Sequence, residues 1–203
     1  MKVRLYVEGG SKSGNAQGFR LFRAGFKQHL SKLHSRLNTL EVSPCGSRDD
    51  AIRDFARAVR ERPSECILAL LVDSESPVTT ESPAKHLQPK FDSAHIPQEA
   101  RENVFLMVQC MESSLVTDIV ALEKCFGPRA REIAFPKNPD IEAVPKSDVL
   151  TRLDQAAKHT PTHRYHKIRD GAKLLANLDP TRVAERSGHA RAFHAFLRRS
   201  IEM

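Results

Sequence analysis

From Cys66 to Val72 the chain reads CILALLV, seven apolar residues without a break, and then runs straight into Asp73. A run this short cannot cross a bilayer, which takes roughly 20 residues. With no polar alternation it reads as a strand covered on both faces. KVRLYV (2–7) and NVFLMVQCM (103–111) are of the same kind, with a shorter strand near TLEVSPC (39–45). Between them lie amphipathic helices. In residues 16–37, Phe19, Phe22, Phe26, Leu30 and Leu33 recur at three- and four-residue intervals, and in residues 46–62 Ile52, Phe55, Ala56 and Val59 do the same until Pro63. The alternation predicts an α/β fold, a Rossmannoid with a mostly parallel central sheet flanked by helices.

Residues 77–100 hold four prolines and read as a long irregular connection. Residues 112–127 read as one helix closed by Gly127. Beyond PKNPDIEAVP the pattern becomes purely helical, with helices expected over 146–159, 166–178 and 179–201. Asp179 caps the last of these and Pro180 sits in its first turn. The expected division is therefore an α/β catalytic core over 1–135 and a basic helical C-terminal extension over 136–203, packed on the core.

Charge is distributed unevenly. Residues 1–50 carry nine Lys/Arg against four Asp/Glu and residues 151–203 eleven against five, whereas 51–100 and 101–150 each carry six against eight. Basic ends around an acidic middle suit a polyanion held over carboxylates, and equally suit two solvated basic helices. The four cysteines are scattered with no CxxC pair, which suggests neither a disulfide framework nor a zinc knuckle and favours reduced structural thiols. MKVRLYVEGG turns polar too early for a signal peptide, and no run spans a membrane, so a cytoplasmic location is expected.

The glycine-rich turn VEGGSKSGNAQG fails the phosphate-loop pattern GxxxxGK[ST]: Asn15 and Ala16 stand where Lys and Ser/Thr are needed. The dinucleotide pattern GxGxxG finds no register. What remains is Glu8 at the carboxyl end of a buried strand, the end where open α/β sheets bind ligands. Alone it could be a cap or a surface charge. Asp73 and Glu75 end a second strand, and at alternate positions of an extended segment both carboxylates face one side and can reach one hard cation such as magnesium. Glu112 ends a third strand. Asp118, six residues on, is left between a helix-surface and a supporting role. Arg48, at a helix start in CGSRDD, could fork onto a phosphate; the other reading has Ser47 or Asp49 capping the helix and Arg48 solvated. His159, His163 and His166 do not make a zinc site, because Pro161 breaks the helix that HxxxH requires. Arg164, Lys167, Arg169 and Lys173 form either a phosphate-facing segment or a solvated face.

An apolar strand ending in Glu-Gly, followed by a strand ending in acids spaced by one residue, resembles the Toprim domain of topoisomerases, bacterial primases and overcoming-lysogenization-defect nucleases. The segments VEGG, FRAGF, CGSRDDAIRDF, LLVDSESPV, MVQCMES and GAKLLANLDPTRV resemble more closely a bacterial Toprim-like family, often encoded beside an ATPase of the SMC/ABC type. The resemblance implies that Glu8 is the metal-linked general acid or base and that Asp73 and Glu75 are metal ligands, although Asp-Ser-Glu stands here for the common Asp-x-Asp. It implies a Mg2+- or Mn2+-dependent nuclease in a bacteriophage defence system; joined to the reading of the residues themselves, it gives Glu8, Asp73, Glu75, Glu112 and Arg48 as catalytic and Arg164, Lys167, Arg169 and Lys173 as gripping the nucleic acid, DNA more than RNA. An SMC/ABC-type ATPase is the expected protein partner, and a homo-oligomer is allowed. The alternative implied is a non-catalytic subunit of such an ATPase complex.

Overall fold

The structure is a computed structural model that describes residues 2–10, 16–61, 66–87, 96–161 and 163–202. Pro63 and most of the turn after Gly10 lie outside the described residues.

Four strands, β1 (Lys2–Val7), β2 (Glu41–Pro44), β3 (Cys66–Asp73) and β4 (Val104–Met107), form one sheet in the order β2-β1-β3-β4 with every pairing parallel. The β1–β3 register sets Leu5 opposite Ala69 and Val7 opposite Leu71. Successive side chains of a strand leave on opposite faces, and each face has its own core. Val3, Leu5, Val7, Ala69 and Leu71 pack with Phe22, Phe26 and Leu30 of helix α1 (Ala16–Ser31). Tyr6, Leu68, Leu70 and Val72 pack with Ile52 and Phe55 of helix α2 (Arg48–Glu61).

The connection expected to be wholly irregular contains a short helix α3 (Pro83–Leu87) and a 3-10 turn at Gln98–Asn103; its residues 88–95 lie outside the described ones. The single helix expected over 112–127 is two helices, α4 (Met111–Leu115) and α5 (Ile119–Phe126). Asp118 separates them by accepting from the backbone of Val120 and Ala121, a helix cap hidden inside an apolar periodicity. Gly127 closes α5 at φ 89°. A further short helix, α6 (Ala130–Ile133), leads to a 3-10 turn at Ile141–Ala143.

Helices α7 (Lys146–Ala157) and α8 (Arg169–Asn177) follow. The last expected helix also breaks in two, α9 (Pro180–Arg186) and α10 (Gly188–Glu202). Ser187 is extended at the break and its hydroxyl donates to Glu142. Asp179 caps α9 as expected. Leu174, Leu175, Val183, Phe193 and Leu197 of these helices share the core of the α1 face, so α8 to α10 cover the same side of the sheet as α1. No helix among the described residues is long and apolar enough to cross a membrane.

Candidate metal centre

Strand β1 connects through α1 to β2 on one side, while β3 lies on the other side of β1. The direction of winding reverses between β1 and β3, and in open parallel sheets a crevice forms beyond the carboxyl ends of the strands at that reversal. Glu8 follows β1 and Asp73 ends β3. Each of Glu8, Asp73 and Glu75 places a carboxylate oxygen within 4.8 Å of the other two.

The three arrive there differently. Glu8 Oε2 accepts from the backbone N–H of Asp73 at 2.9 Å, stitching the two strand ends together. Asp73 is 4% exposed, and its Oδ1 accepts from Met111 N at 2.8 Å, the first amide of α4. Glu75 does not reach the cluster through the pleat of an extended segment, as expected. The strand ends at Asp73, and Glu75 adopts φ 63°, so the chain turns to bring its side chain back; its N–H is held by Gln109 O at 2.9 Å.

Burial pushes the Asp73 carboxyl well above the usual carboxylate range, and the nearby Glu8 and Glu112 push it further. Glu8 is also raised, chiefly by burial, against the opposing Asp73 N–H and Arg48 guanidinium. Like charges this close disfavour one another in the absence of a cation. Three carboxylate oxygens are also the hard donor set that Mg2+ or Mn2+ takes. The residues therefore fit a divalent ion.

Glu112 is adjacent but outside this trio. It is fully buried in α4, and neither of its oxygens accepts a hydrogen bond among the described residues; Lys167 Nζ lies 3.5 Å from Oε1. Arg48 is half-buried and its Nη1 donates to Asp73 O at 3.3 Å, beside Glu8. Ser47 caps α2 through Asp50, as one reading of CGSRDD has it, while Arg48 is not left solvated but lies against the Asp73 carbonyl. Asp118 is structural. One of its oxygens caps α5 and the other accepts from Asp179 N at 3.0 Å.

A cleft of about 210 Å³ opens over the cluster, lined by Glu8, Gly46, Asp73, Met111, Lys167 and Ile168. Gly9 and Gly46 exchange backbone hydrogen bonds at 2.9 and 3.0 Å across its rim. The glycines of VEGG make room for the protein as well as for any ligand. A Cβ on Gly9 would stand 2.3 Å from Phe22 Cζ, and its φ of 129° is a glycine conformation.

Of the four basic residues singled out in the sequence, Lys167 lines the cleft. Arg169 pairs with Asp170 and, with Lys173, lines a separate groove between α1, α5 and α8. Arg164 is exposed. Two residues went unread in the sequence. Lys146, at the start of α7, places Nζ 2.5 Å from Glu75 Oε2. Gln109 donates through Nε2 to Glu142 O and Val144 O and accepts from Lys146 N. A lysine after proline at a helix start and a lone glutamine after a strand have no spacing that marks them.

The fold is Toprim-like: an all-parallel four-stranded sheet flanked by helices, with a cluster of carboxylates at its carboxyl end. The structure is similar to the C-terminal region of the Burkholderia pseudomallei OLD protein, with a TM-score of 0.51 and 14% identity over 98% of both chains. Residues 7–198 match the family described as Domain of unknown function (DUF4276), and the chain belongs to that family. No curated protein matches the sequence.

Proposed function

We propose that this protein is a Mg2+- or Mn2+-dependent nuclease, or the nuclease subunit of a bacterial defence system, acting on phosphodiester bonds of nucleic acid with DNA favoured over RNA. The observation that carries the reading is the trio Glu8, Asp73 and Glu75 at the switch point of the sheet. A divalent ion there supplies Lewis acidity and a counter-charge for the phosphodiester. The chain's own groups do the rest. Glu8, its carboxyl raised chiefly by burial, is the group placed to hold or accept a proton beside the ion. Arg48, beside Glu8, orients a phosphate oxygen. Glu112 keeps the Lys167 ammonium turned toward the cleft. Residues 1–135 carry the carboxylates and Arg48, and Lys167 joins them at the cleft from the C-terminal helices. Residues 136–203, including Arg164, Arg169 and Lys173, grip the backbone without reading sequence.

The test is cleavage of plasmid and single-stranded DNA, and of RNA, with Mg2+ or Mn2+. Wild type cutting while Glu8→Gln binds but does not cut is the expected result. A second reading, a non-catalytic subunit docked on an SMC/ABC-type ATPase, is favoured by the internal cations: Lys146 neutralises Glu75 and Lys167 faces Glu112. Wild type that cuts nothing, alone or with an ATPase partner, would establish that reading instead.

A further inference from the structure

Lys146 is fixed in place more firmly than an ordinary surface lysine. Its backbone N–H is bonded to Gln109 Oε1, and the two carbonyls just before it, those of Glu142 and Val144, accept from Gln109 Nε2. The Glu142 side chain in turn accepts from Ser187 Oγ at 2.6 Å and His189 N at 2.9 Å, anchoring the same segment to the start of α10. Gln109 also holds the backbone of Glu75 through its own carbonyl. One residue thus positions both partners of the Lys146–Glu75 pair.

The ammonium sits on a carboxylate that belongs to the trio, with the lysine side chain 29% exposed and the glutamate 38%. A four-carbon stem on a fixed backbone can swing its head into solvent, while the backbone cannot follow. We infer that Lys146 is a tethered counter-ion of the carboxylate cluster, one that a divalent ion must displace from Glu75, and so sets the cation affinity of the centre.

The inference rests on the metal-centre reading and adds to it a residue that weakens ion binding. Its consequence runs against the usual outcome of mutating a site residue. Removing Lys146 abolishes both the competition for Glu75 and the repulsion between ammonium and metal ion, so binding should tighten by about tenfold, the size expected for a close charge pair in a partly solvated site.

Calorimetric titration of Mn2+ into wild type, Lys146→Met, Glu75→Gln and the double variant, with Asp73→Asn as the control for the centre, tests this. Lys146→Gln serves as a second neutral variant, and the melting temperature of each protein checks its fold. The expected result is about tenfold tighter binding for Lys146→Met and Lys146→Gln in the wild-type background. That gain should shrink to about twofold when Glu75 is already Gln, because the competition acts through Glu75. Manganese that binds wild type and Lys146→Met equally, or the latter more weakly, overturns the inference and leaves the metal centre standing. An equal gain in both backgrounds also overturns it, since repulsion alone would then be at work. If neither wild type nor Lys146→Met binds manganese, the metal-centre reading and this inference fall together.

Discussion

Asp73 does two jobs with two oxygens, and they separate on substitution. Oδ1 accepts from Met111 N, and the charge belongs to the cluster. Asp73→Asn keeps an acceptor for that amide while removing one of three crowded charges, so the melting temperature in metal-free buffer should not fall. Asp73→Ala leaves a buried N–H without a partner and should cost about 1–3 kcal/mol in denaturant titration. Much of the site was legible at this scale, because Glu8 and Asp73 each close an apolar strand and strand ends are where ligands bind; Glu112, read as a third strand end, instead lies in α4 beyond the end of β4 at Met107. Glu75 was placed correctly for the wrong reason, since a left-handed turn and not the pleat brings it in. Lys146 and Gln109 were illegible, because what matters is their contact with a residue far away in sequence.

At the scale of elements, the strands and the first two helices followed from periodicity, whereas two later helices broke where periodicity did not. In each break a polar side chain competes for the backbone: Asp118 between α4 and α5, and Ser187, held by Glu142, between α9 and α10. Asp118→Ala would leave the start of α5 and Asp179 N unbonded together, with an expected loss of about 2 kcal/mol by equilibrium unfolding. The α1–α8 contact depends on Gly25. A Cβ there would stand 2.8 Å from Ala172 O, so Gly25→Ala should destabilise by about 1–3 kcal/mol. Gly18→Ala, whose Cβ would meet only Ile168 at 3.5 Å, should be neutral or stabilising by up to about 1 kcal/mol.

Between α1 and α10, His29 and His194 lie with ring centroids 5.7 Å apart. Burial lowers His29 to about 3, helped by His194, and burial lowers His194 to about 4, helped by Arg198. Both are neutral in the fold and take protons below about pH 6.5 when unfolded. The unfolded chain therefore binds more protons between about pH 6.5 and 4, and stability falls as pH drops through that window, by about 1.4 kcal/mol per pH unit for each imidazole. The raised carboxyls of Asp73 and Glu8 act in the opposite sense. Comparison with His194→Leu isolates the histidine contribution: its stability should depend less steeply on pH over this range.

Across the whole molecule, the winding reversal between β1 and β3 decides where chemistry can occur, and several helices begin around that point. Arg48 opens α2, Met111 opens α4, Lys146 opens α7, and Lys167 and Ile168 lead into α8. Positive helix ends and basic side chains ring an acidic floor, an arrangement suited to a metal ion below and a polyanion above. Basic ends and an acidic middle were visible in the sequence, but nothing in composition shows that the last helices share a core with the first. Nucleic-acid affinity, if the basic rim supplies it, should fall linearly in logarithm with salt, steeply enough to indicate several phosphate contacts.

The central claim is that Glu8, Asp73 and Glu75 form a divalent-metal centre. Calorimetric titration of Mn2+ and Mg2+ into the wild-type protein and Asp73→Asn tests it most directly. Saturable binding in the wild type that disappears in the variant is the predicted result. Binding absent from both, or undiminished in Asp73→Asn, would contradict it.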